Sequence, residues 1–456
     1  MFSRVLVANR GEIAVRVIRA LHELGVEAVA VYSTADRDSL HVRLADHAVC
    51  VGPPAAALSY LRIPSIVAAA ETTGCEAVHP GYGFLSENPE FVRACEDNDL
   101  VFVGPSADVM ERMGDKARAK AEMRAAGVPL VPGTEGAASL PEVREAAAEL
   151  GFPVLLKAVA GGGGKGMRLV HAPDELEAAY STARTEAEAA FGDGTLYLEK
   201  AVVPAKHVEI QVLCDRHDGV LTLGERECSI QRRHQKLVEE SPSPALTPET
   251  REEMEAAAER ACRAIGYENA GTFEFLLGAD GQFHFIELNA RLQVEHPVSE
   301  LVTGIDVVRE QLRVASGERL PVTGRAPRRG HAIEIRLNAE DPARDFAPAP
   351  GRIERFRAPL GPGVRVDTFL EEGSAISPYY DSMIAKLVVW AEDRPAAIAR
   401  GIRALEELEL RGVPTTRELA LDILRSDGFA SGSYSTSFLA DHAAELPTLA
   451  AAGAAA

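Results

Sequence analysis

Two glutamates of one predicted β-hairpin, Glu274 and Glu287, have the residue types and spacing to bind a cation. Apolar runs flank Asp280 and Gly281, and this dipeptide is typical of a two-residue hairpin turn. Counting outward from that turn places Glu274 directly opposite Glu287 and Thr272 opposite Asn289. The two carboxylates are therefore predicted to share one face of the hairpin.

Like charges that face each other across two strands destabilise the pair, and a divalent cation between them would turn that repulsion into attraction. Glu274, Glu287 and the amide oxygen of Asn289 are the hard oxygen ligands that Mg²⁺ prefers, and Mg²⁺ is usually shared with nucleotide phosphates. The simpler alternative is a solvated strand face. The prediction depends on register, because a slip of one residue would break the pairing.

A second polar string follows the hairpin, in which Arg291, Gln293 and Glu295 alternate with apolar residues. In an extended chain these three side chains lie on one face. An arginine binds a planar anion through two parallel hydrogen bonds, and a glutamine adds a donor. A glutamate within hydrogen-bond reach can then take a proton. Bicarbonate fits this chemistry, although a structural Arg–Glu pair uses the same residue types.

The glycine-rich segment 161–166, which contains Lys165, is a candidate phosphate loop. Glycines let backbone N–H groups approach phosphate oxygens, and a lysine adds charge. The segment is not a Walker loop, because Val159 stands where glycine belongs and Gly166 where serine or threonine belongs. We interpret it as a movable flap between two strands, lying over a nucleotide. A bare surface hairpin is the alternative.

Weaker candidates surround this segment. Lys116 and Lys157 are possible phosphate ligands, and Lys157 lies at the end of the strand that enters the flap. The strand that ends at residues 199–202 could hydrogen-bond a base edge with its backbone. Residues 225–236 form a local cationic run, which we interpret as an anion site rather than a solvated face. Cys228 in this run has no partner at metal-ligand spacing and is interpreted as structural.

The predicted elements fall into three blocks. Residues 1 to about 110 alternate strand and helix, which indicates a parallel βαβ sheet. The Gly-x-Gly-x-x-Gly fingerprint is absent, so a Rossmann dehydrogenase is not supported. The middle block contains the flap, a half-buried strand over 207–213, the hairpin and one helix over 298–316. Strands and two helices follow between 331 and about 445, and the end of the chain is interpreted as a frayed tail.

Composition narrows the class of protein. The 456 residues are 46% hydrophobic and 25% charged, which is typical of a globular chain with about two to four domains. A run of 18 apolar residues and a signal-peptide layout are both absent, so no membrane association is expected. Six scattered cysteines indicate a reducing cytoplasm. The net charge of −20 argues against nucleic-acid binding and requires any anion site to be locally basic.

Taken in order, these motifs resemble the ATP-grasp superfamily and, within it, biotin carboxylase, the ATP-dependent component of acetyl-CoA and propionyl-CoA carboxylases. The glycine flap begins after Ala160 and has four consecutive glycines, a shorter run than is frequent in the family. The resemblance covers nearly the whole chain. Further matching segments are residues 8–14, 79–88, 231–236, 336–341 and 378–383.

The resemblance implies an α/β and α+β architecture in three domains. The N-terminal parallel βαβ domain would span 1–113, the central ATP-grasp domain 114–317 with a glycine-flap lid at about 131–203, and the C-terminal mixed α/β domain 330–445. Residues 446–456 would be a tail or a linker stump.

The resemblance also implies the ligands. Bicarbonate would contact Lys236, Arg291, Gln293 and the backbone of Val294, and Glu295 would be the base. Arg336 would stabilise the enolate-like biotin anion, and Tyr82 and Asp381 would lie near biotin. Mg²⁺ or Mn²⁺ would bind Glu274, Glu287 and Asn289. ATP would be held by Lys116, Lys157, Gly163, Gly164, Glu199, Lys200, Ala201, Val202, His207, Gln231, His234, Glu274 and Glu287.

Partners are implied as well. An Ala-Met-Lys-Met biotinylation motif is absent, so biotin is expected from a carrier protein or from a carrier domain outside this sequence. Relatives also lead us to expect a homodimeric state and a carboxyltransferase subunit. The acyl-CoA that the full complex carboxylates is not encoded in these residues.

Two other functions remain as alternatives. The first is another ATP-grasp ligase that activates a carboxylate as an acyl phosphate, against which Arg336 and residues 231–236 argue. The second is a catalytically silent nucleotide-binding protein, which would be expected to lack a metal ligand or the base. Every one of these residues is present here.

Overall fold

The N-terminal part of the chain is a parallel sheet, as the alternation of strands and helices predicts. The computed structural model describes residues 1–134, 136–159 and 166–455. The strand order is β3-β2-β1-β4-β5, and every pair in this sheet is parallel. The elements are β1 (Arg4–Val7), α1 (Gly11–Glu23), β2 (Glu27–Ser33), α2 (Leu40–Leu44), β3 (His47–Gly52), α3 (Ile63–Thr72), β4 (Ala77–His79), α4 (Pro89–Glu96), β5 (Val101–Phe102) and α5 (Ala107–Gly114).

The loops at the carboxyl ends of these strands are tied together by Asn9. Its side-chain amide donates to the carbonyl oxygens of Pro80, at 2.7 Å, and Tyr82, at 2.8 Å. The residues after β1 and after β4 therefore meet at the same edge of the sheet, where ligand crevices form in open α/β sheets.

The central part of the chain combines a small lid sheet with a large antiparallel sheet. The lid strands have the order β7-β6-β8, and β6 and β7 flank the glycine flap, whose residues 160–165 lie outside the described residues. The elements are α6 (Lys116–Ala125), α7 (Leu140–Leu150), β6 (Val154–Ala158), β7 (Met167–Val170), α8 (Leu176–Phe191), β8 (Leu196–Lys200), β9 (Ala205–Cys214), β10 (Val220–Arg232), β11 (Gln235–Ser241), α9 (Pro248–Ile265), β12 (Asn269–Gly278), β13 (Phe283–Asn289), α10 (His296–Thr303), α11 (Val307–Ala315) and β14 (Gly324–Arg325).

The large sheet continues into the C-terminal part of the chain. Its order is β13-β12-β9-β10-β11-β15-β22-β20, with β14 paired to β10. The elements are β15 (His331–Asn338), β16 (Glu340–Asp341), β17 (Ala347–Pro348), β18 (Gly351–Arg352), β19 (Arg355–Arg357), β20 (Val364–Thr368), β21 (Ala375–Ile376), β22 (Met383–Ala391), α12 (Arg394–Glu407), β23 (Glu409–Arg411), α13 (Arg417–Arg425), α14 (Asp427–Ala430), α15 (Phe438–Asp441) and α16 (Pro447–Ala455).

The hairpin register is as predicted, but the turn is not. Glu274 pairs with Glu287 and Thr272 with Asn289. The turn has three residues rather than two, because the N–H of Gly278 donates to the carbonyl oxygen of Gln282 at 2.8 Å. A β-bulge beside Glu274 takes up the extra residue and restores the predicted pairing.

Three other predictions about secondary structure were wrong. The helix predicted over 298–316 is two helices, because α10 ends at Gly304 in the left-handed conformation and Asp306 caps α11. Strand β9 was predicted to be half-buried, yet it is buried on both faces from Val208 onward. The predicted frayed tail contains helix α16. Among the described residues, no helix combines the length and apolar character needed to cross a membrane.

Candidate active site

A cavity of about 1410 Å³ lies where the N-terminal sheet, the lid and the large sheet meet. The residues that line it come from all three parts of the chain, from Asn9 to Thr436. The predicted site residues that line it are Tyr82, Lys116, Lys157, Glu199, Val202, His207, Gln231, His234, Lys236, Glu274, Glu287, Asn289, Arg291, Gln293, Val294, Glu295, Arg336 and Asp381.

Four predicted residues are not placed on this cavity. Gly163 and Gly164 lie outside the described residues. The ammonium group of Lys200 donates to the carbonyl oxygens of Gly151 and Phe152, at 2.9 and 3.2 Å. The backbone N–H of Ala201 donates to Pro153 at 3.1 Å. The side-chain ammonium group of Lys200 and the backbone N–H of Ala201 are therefore bonded to the segment that precedes β6.

Glu274 is the centre of a dense hydrogen-bond network on β12. Its Oε1 accepts from the side-chain amides of Asn289, at 3.0 Å, and Gln293, at 2.9 Å, and from Lys236 at 3.0 Å. Nε2 of His207 lies 3.1 Å from its Oε2. Burial alone would raise the pKa of Glu274, but Lys236 and His207 outweigh it and hold that pKa well below its ordinary value.

Glu287 faces Glu274 from β13, but its pKa is shifted in the opposite direction. Burial, the charge of Glu274 and the charge of Glu87 all raise its pKa above the ordinary value. Two carboxylates in such a position repel each other unless a cation lies between them. The amide oxygen of Asn289 accepts from Arg291 at 2.9 Å and has a second lone pair available. Glu274, Glu287 and Asn289 therefore fit a Mg²⁺ or Mn²⁺ ion that is shared with a nucleotide.

A second group of potential ligand atoms, on His207, Glu209 and Glu274, does not fit a cation equally well. Glu209 already forms ion pairs with Arg226, at 2.5 Å, and Lys236, at 2.6 Å. Both cations would have to move to admit a metal ion.

Lys236 connects the cation site to the predicted base. Its ammonium group lies 2.6 Å from Glu209, 2.6 Å from Glu295 and 3.0 Å from Glu274. Burial would lower the pKa of Lys236, but these carboxylates raise it well above its ordinary value, so the lysine stays charged. One cation thus bridges the carboxylate of the candidate metal site and Glu295.

Glu295 is fully buried between two cations. Its Oε1 accepts from Lys236 and its Oε2 accepts from Arg336 at 2.9 Å. Although burial acts to raise the pKa of Glu295, Lys236, Arg336 and Arg226 lower it below the ordinary value. In this state the carboxylate is ionised and can receive a proton, but its proton affinity is low.

The opposite end of the cavity is rich in lysine. Lys157 pairs with Oε2 of Glu199 at 2.5 Å, and Lys120 pairs with the other oxygen of the same carboxylate. Burial lowers the pKa of Lys116, and although the charge of Glu287 acts to raise it, the nearby Lys157 and Lys120 help to keep it below its ordinary value. This end of the cavity carries an excess of positive charge, which suits a polyphosphate.

Comparisons with known proteins agree with this geometry. Three family models match in chain order: the biotin carboxylase N-terminal domain at residues 1–110, the carbamoyl-phosphate synthase L chain ATP-binding domain at 115–323, and the biotin carboxylase C-terminal domain at 334–441. The chain belongs to the biotin carboxylase family.

Individual relatives cover almost all of the chain. A biotin carboxylase from Nostoc sp. is 53% identical over 96% of this chain and 98% of its own length. A pyruvate carboxylase subunit from Methanothermobacter thermautotrophicus is 52% identical over 97% of this chain and 90% of its own. Membership in the family makes the protein an ATP-dependent ligase that carboxylates biotin.

Solved structures show the same fold. A biotin carboxylase–beta-gamma-ATP complex from Campylobacter jejuni has a TM-score of 0.93 at 48% identity and covers 97% of this chain and 99% of its own. The biotin carboxylase domain dimer of the Hydrogenobacter thermophilus 2-oxoglutarate carboxylase, in complex with MgADP, ADP and bicarbonate, has a TM-score of 0.92 at 48% identity and covers 98% and 99%.

Arg336, Tyr82 and Asp381, the side chains predicted to lie near biotin, have different surroundings in this cavity. Arg336 donates from Nε to Glu239 at 2.6 Å and from Nη2 to Glu295. The hydroxyl of Tyr82 donates to Glu12, and Asp381 accepts from the backbone N–H of Met383 at 2.9 Å. All three predicted side chains border the cavity, but only Arg336 is part of the network around Glu295.

Sequence reasoning missed several residues of this biotin carboxylase site. Glu87 accepts from Arg291 at 2.9 Å and so orients it. Arg226 is fully buried against Glu209, and Lys120 shares Glu199 with Lys157. The alternation of polar and apolar residues in β9 pointed to a polar face that includes Glu209. Glu87 lies in the matching segment 79–88 and Arg226 in the cationic run 225–236, but neither residue was singled out there. Lys120 gave no signal in its local sequence, because its partner Glu199 lies 79 residues away in the chain.

Proposed function

We propose that this site phosphorylates bicarbonate with ATP and passes the resulting CO₂ to biotin. The observation that carries the proposal is the position of Lys236, whose ammonium group is within 3.0 Å of both Glu274 and Glu295. An anion bound to Lys236 would lie between the metal-binding hairpin and the base. Bicarbonate in that place is next to the terminal phosphate of a nucleotide held on the same hairpin.

The nucleotide end uses the lysine-rich part of the cavity. Lys116 and Lys157 would neutralise the phosphates, and Gly163 and Gly164, which lie outside the described residues, belong to the same proposed phosphate site. Glu274, Glu287 and Asn289 would hold Mg²⁺ or Mn²⁺, which neutralises charge on the phosphate that is transferred. His207, Gln231, His234 and the strand end at Glu199, Lys200, Ala201 and Val202 complete the proposed ATP site.

Bicarbonate is proposed to bind Lys236, Arg291, Gln293 and the backbone of Val294. The side chains of Lys236 and Arg291 are already oriented, by Glu274 and by Glu87. A bound anion would share the ammonium group of Lys236 and add negative charge beside Glu295. Both effects raise the pKa of Glu295 from its depressed value, so the base gains proton affinity only when its substrate is present.

The proposed reaction has three chemical steps. Glu295 takes the proton of bicarbonate, and a bicarbonate oxygen attacks the γ-phosphorus while the bond from that phosphorus to the β–γ bridging oxygen breaks and ADP leaves. In carboxyphosphate, the bond between carbon and the oxygen that bridges to phosphorus then breaks, which gives CO₂ and phosphate. Phosphate takes the proton from N1 of biotin, and N1 attacks CO₂ to give carboxybiotin.

Arg336 is proposed to stabilise the biotin anion formed in the last step. Its guanidinium group lies at the boundary between Glu295 and the open cavity, where negative charge develops on the biotin oxygen. Tyr82 and Asp381, which both line the cavity, are proposed to border the biotin ring.

The partner that presents biotin is proposed to be a carrier protein or domain, and a carboxyltransferase would consume carboxybiotin in the carboxylation of an acyl-CoA. A 2-oxo acid is a second candidate acceptor, because similar chains belong to a pyruvate carboxylase and to a 2-oxoglutarate carboxylase. We propose a homodimer, since the 2-oxoglutarate carboxylase domain forms a dimer in its crystal structure.

The test is ADP release with purified protein, ATP and Mg²⁺. Full turnover is expected only when bicarbonate and free biotin are both present. Turnover with an amino acid in place of both would favour another ATP-grasp ligase. Nucleotide binding without turnover under any of these conditions would favour a catalytically silent protein.

A further inference from the structure

Lys120 lies at the nucleotide end of the cavity and has no role in the steps above. It follows Lys116 by one turn of helix α6, and both residues border the cavity. Like charges at this spacing destabilise a helix by a few tenths of a kcal/mol. A compensating interaction on the facing strand is therefore to be expected.

Glu199 on β8 provides that interaction. This residue is 3% exposed, and one carboxylate oxygen, Oε1, accepts from the ammonium group of Lys120. The other oxygen lies 2.5 Å from Lys157. The ammonium group of Lys120 also lies 4.3 Å from the centre of the Tyr197 ring, which is within the range of a cation–π interaction.

Lys120 is therefore fixed on two sides, by a carboxylate and by an aromatic face. A lysine whose only role was to remain solvated would not be half-buried against both groups. Each lysine contacts a different oxygen of the Glu199 carboxylate, so Lys157 contacts one oxygen and not both.

We propose that Lys120 is a positioning residue for ATP binding. Because Lys120 occupies Oε1 of Glu199, Glu199 contacts Lys157 through Oε2 alone. The other two hydrogen-bond donors of the Lys157 ammonium group then stay directed toward the cavity and the phosphates. This inference rests on the proposed ATP site, and it adds the residue that sets the availability of Lys157.

Removing Lys120 has a defined consequence. Glu199 would lose one of its two lysine partners, and both of its oxygens would be free to bind Lys157. The phosphates would then have to compete with Glu199 for Lys157. Nucleotide affinity is expected to fall, while the bicarbonate and biotin parts of the site are unchanged.

The experiment compares Lys120→Met with wild type in two assays, steady-state ADP release and calorimetric binding of MgADP. KM for ATP and Kd for MgADP are both expected to rise about tenfold. The kcat at saturating ATP and KM for bicarbonate should stay within about twofold of wild type. Lys120→Arg, which keeps a charged donor, should retain most of the affinity.

Two further variants separate positioning from simple structural support. Glu199→Gln in the Lys120→Met background should recover part of the lost affinity, because a neutral amide holds Lys157 less strongly. Arg118→Met, which removes a positive charge from the exposed face of the same helix, should leave KM for ATP unchanged.

The proposal is overturned if Lys120→Met binds MgADP within about twofold of wild type, or if the double variant binds no better than Lys120→Met. If Lys120→Met does not fold, the same comparison with Lys120→Gln decides it. If wild type binds MgADP but shows no bicarbonate-dependent turnover, the proposed function fails while the binding comparison still tests Lys120.

Discussion

The two ends of the cavity use lysine and glutamate in opposite proportions. At the nucleotide end, Lys120 and Lys157 share the carboxylate of Glu199, and Lys116 lies nearby. At the bicarbonate end, one lysine, Lys236, contacts three carboxylates. The first arrangement leaves positive charge for a polyphosphate to neutralise. The second leaves negative charge that a metal ion can neutralise, and it keeps the lysine and the base ionised.

This difference predicts different kinetic effects at the two ends. Changes among the lysines of the nucleotide end should act mainly on ATP affinity. Changes at the bicarbonate end should act mainly on kcat, because those groups are proposed to contact the atoms that react. The variants below test that division, from the largest expected effect to the smallest.

Glu295→Gln should have the largest effect. Loss of the proton acceptor is expected to reduce kcat for bicarbonate-dependent ADP release by about 10²–10⁴-fold. KM for ATP should change little, since Glu295 lies at the other end of the cavity. Glu253→Gln on the exposed face of α9 is a matched control. Turnover by Glu295→Gln at the wild-type rate would remove this residue from the mechanism.

Arg336→Ala should separate biotin carboxylation from the bicarbonate-dependent cleavage of ATP. Biotin carboxylation is expected to fall by about 10²–10³-fold, because a charged donor to the developing anion is lost. The slow bicarbonate-dependent cleavage of ATP without biotin should fall much less. Assays of carboxybiotin and of ADP on the same samples measure both rates. Equal losses would contradict the assignment of Arg336 to biotin.

Lys157→Met should affect the nucleotide end. KM for ATP is expected to rise about 10–100-fold, since a hydrogen bond to a charged group is worth about 1.5–3 kcal/mol. The fractional loss in kcat should be smaller than for Glu295→Gln. Arg144→Met on α7 removes an exposed charge from the same lid and serves as the control. A loss confined to kcat would remove the distinction between the two ends.

Glu239→Gln should have the smallest effect, on the pH dependence of stability. Burial raises the pKa of Glu239 to about 7 in the folded protein, although the charge of Arg336 acts to lower it. The unfolded chain has the lower pKa, so ionisation opposes folding and this residue removes stability as the pH rises from about 4.5 to 7. The free energy of unfolding should therefore fall less across that window in Glu239→Gln than in wild type, by on the order of 1–3 kcal/mol.

Urea unfolding at pH 5 and pH 8 measures this change in the free energy of unfolding. The difference between the two pH values should be smaller for Glu239→Gln than for wild type. An unchanged or larger difference would show that Glu239 does not titrate in this window.

Much of the site could be predicted because its residues are close in sequence. The pairing of Glu274 with Glu287 follows from a hairpin, in which register is set locally. Even there, the turn was wrong by one residue, and the bulge beside Glu274 restored the pairing. The predicted pairing is correct because the extra turn residue and the bulge shift the register by one residue in opposite directions.

Features that depend on distant partners could not be predicted. The pairing of β11 with β15, which joins the central and C-terminal parts of the chain in one sheet, is a choice among many strand edges. Helix α10 ends at Gly304 although the apolar periodicity continues across it. Lys120 became a candidate only when Glu199, 79 residues away, was seen at its ammonium group.

The central claim is that ATP transfers its γ-phosphoryl group to bicarbonate between Lys236 and the hairpin of Glu274 and Glu287. Turnover of ¹⁸O-labelled bicarbonate with unlabelled ATP, over times short relative to exchange with water, tests it most directly. Each turnover should place one labelled oxygen in the released phosphate. Phosphate without label, formed at the same rate as carboxybiotin, would contradict the account.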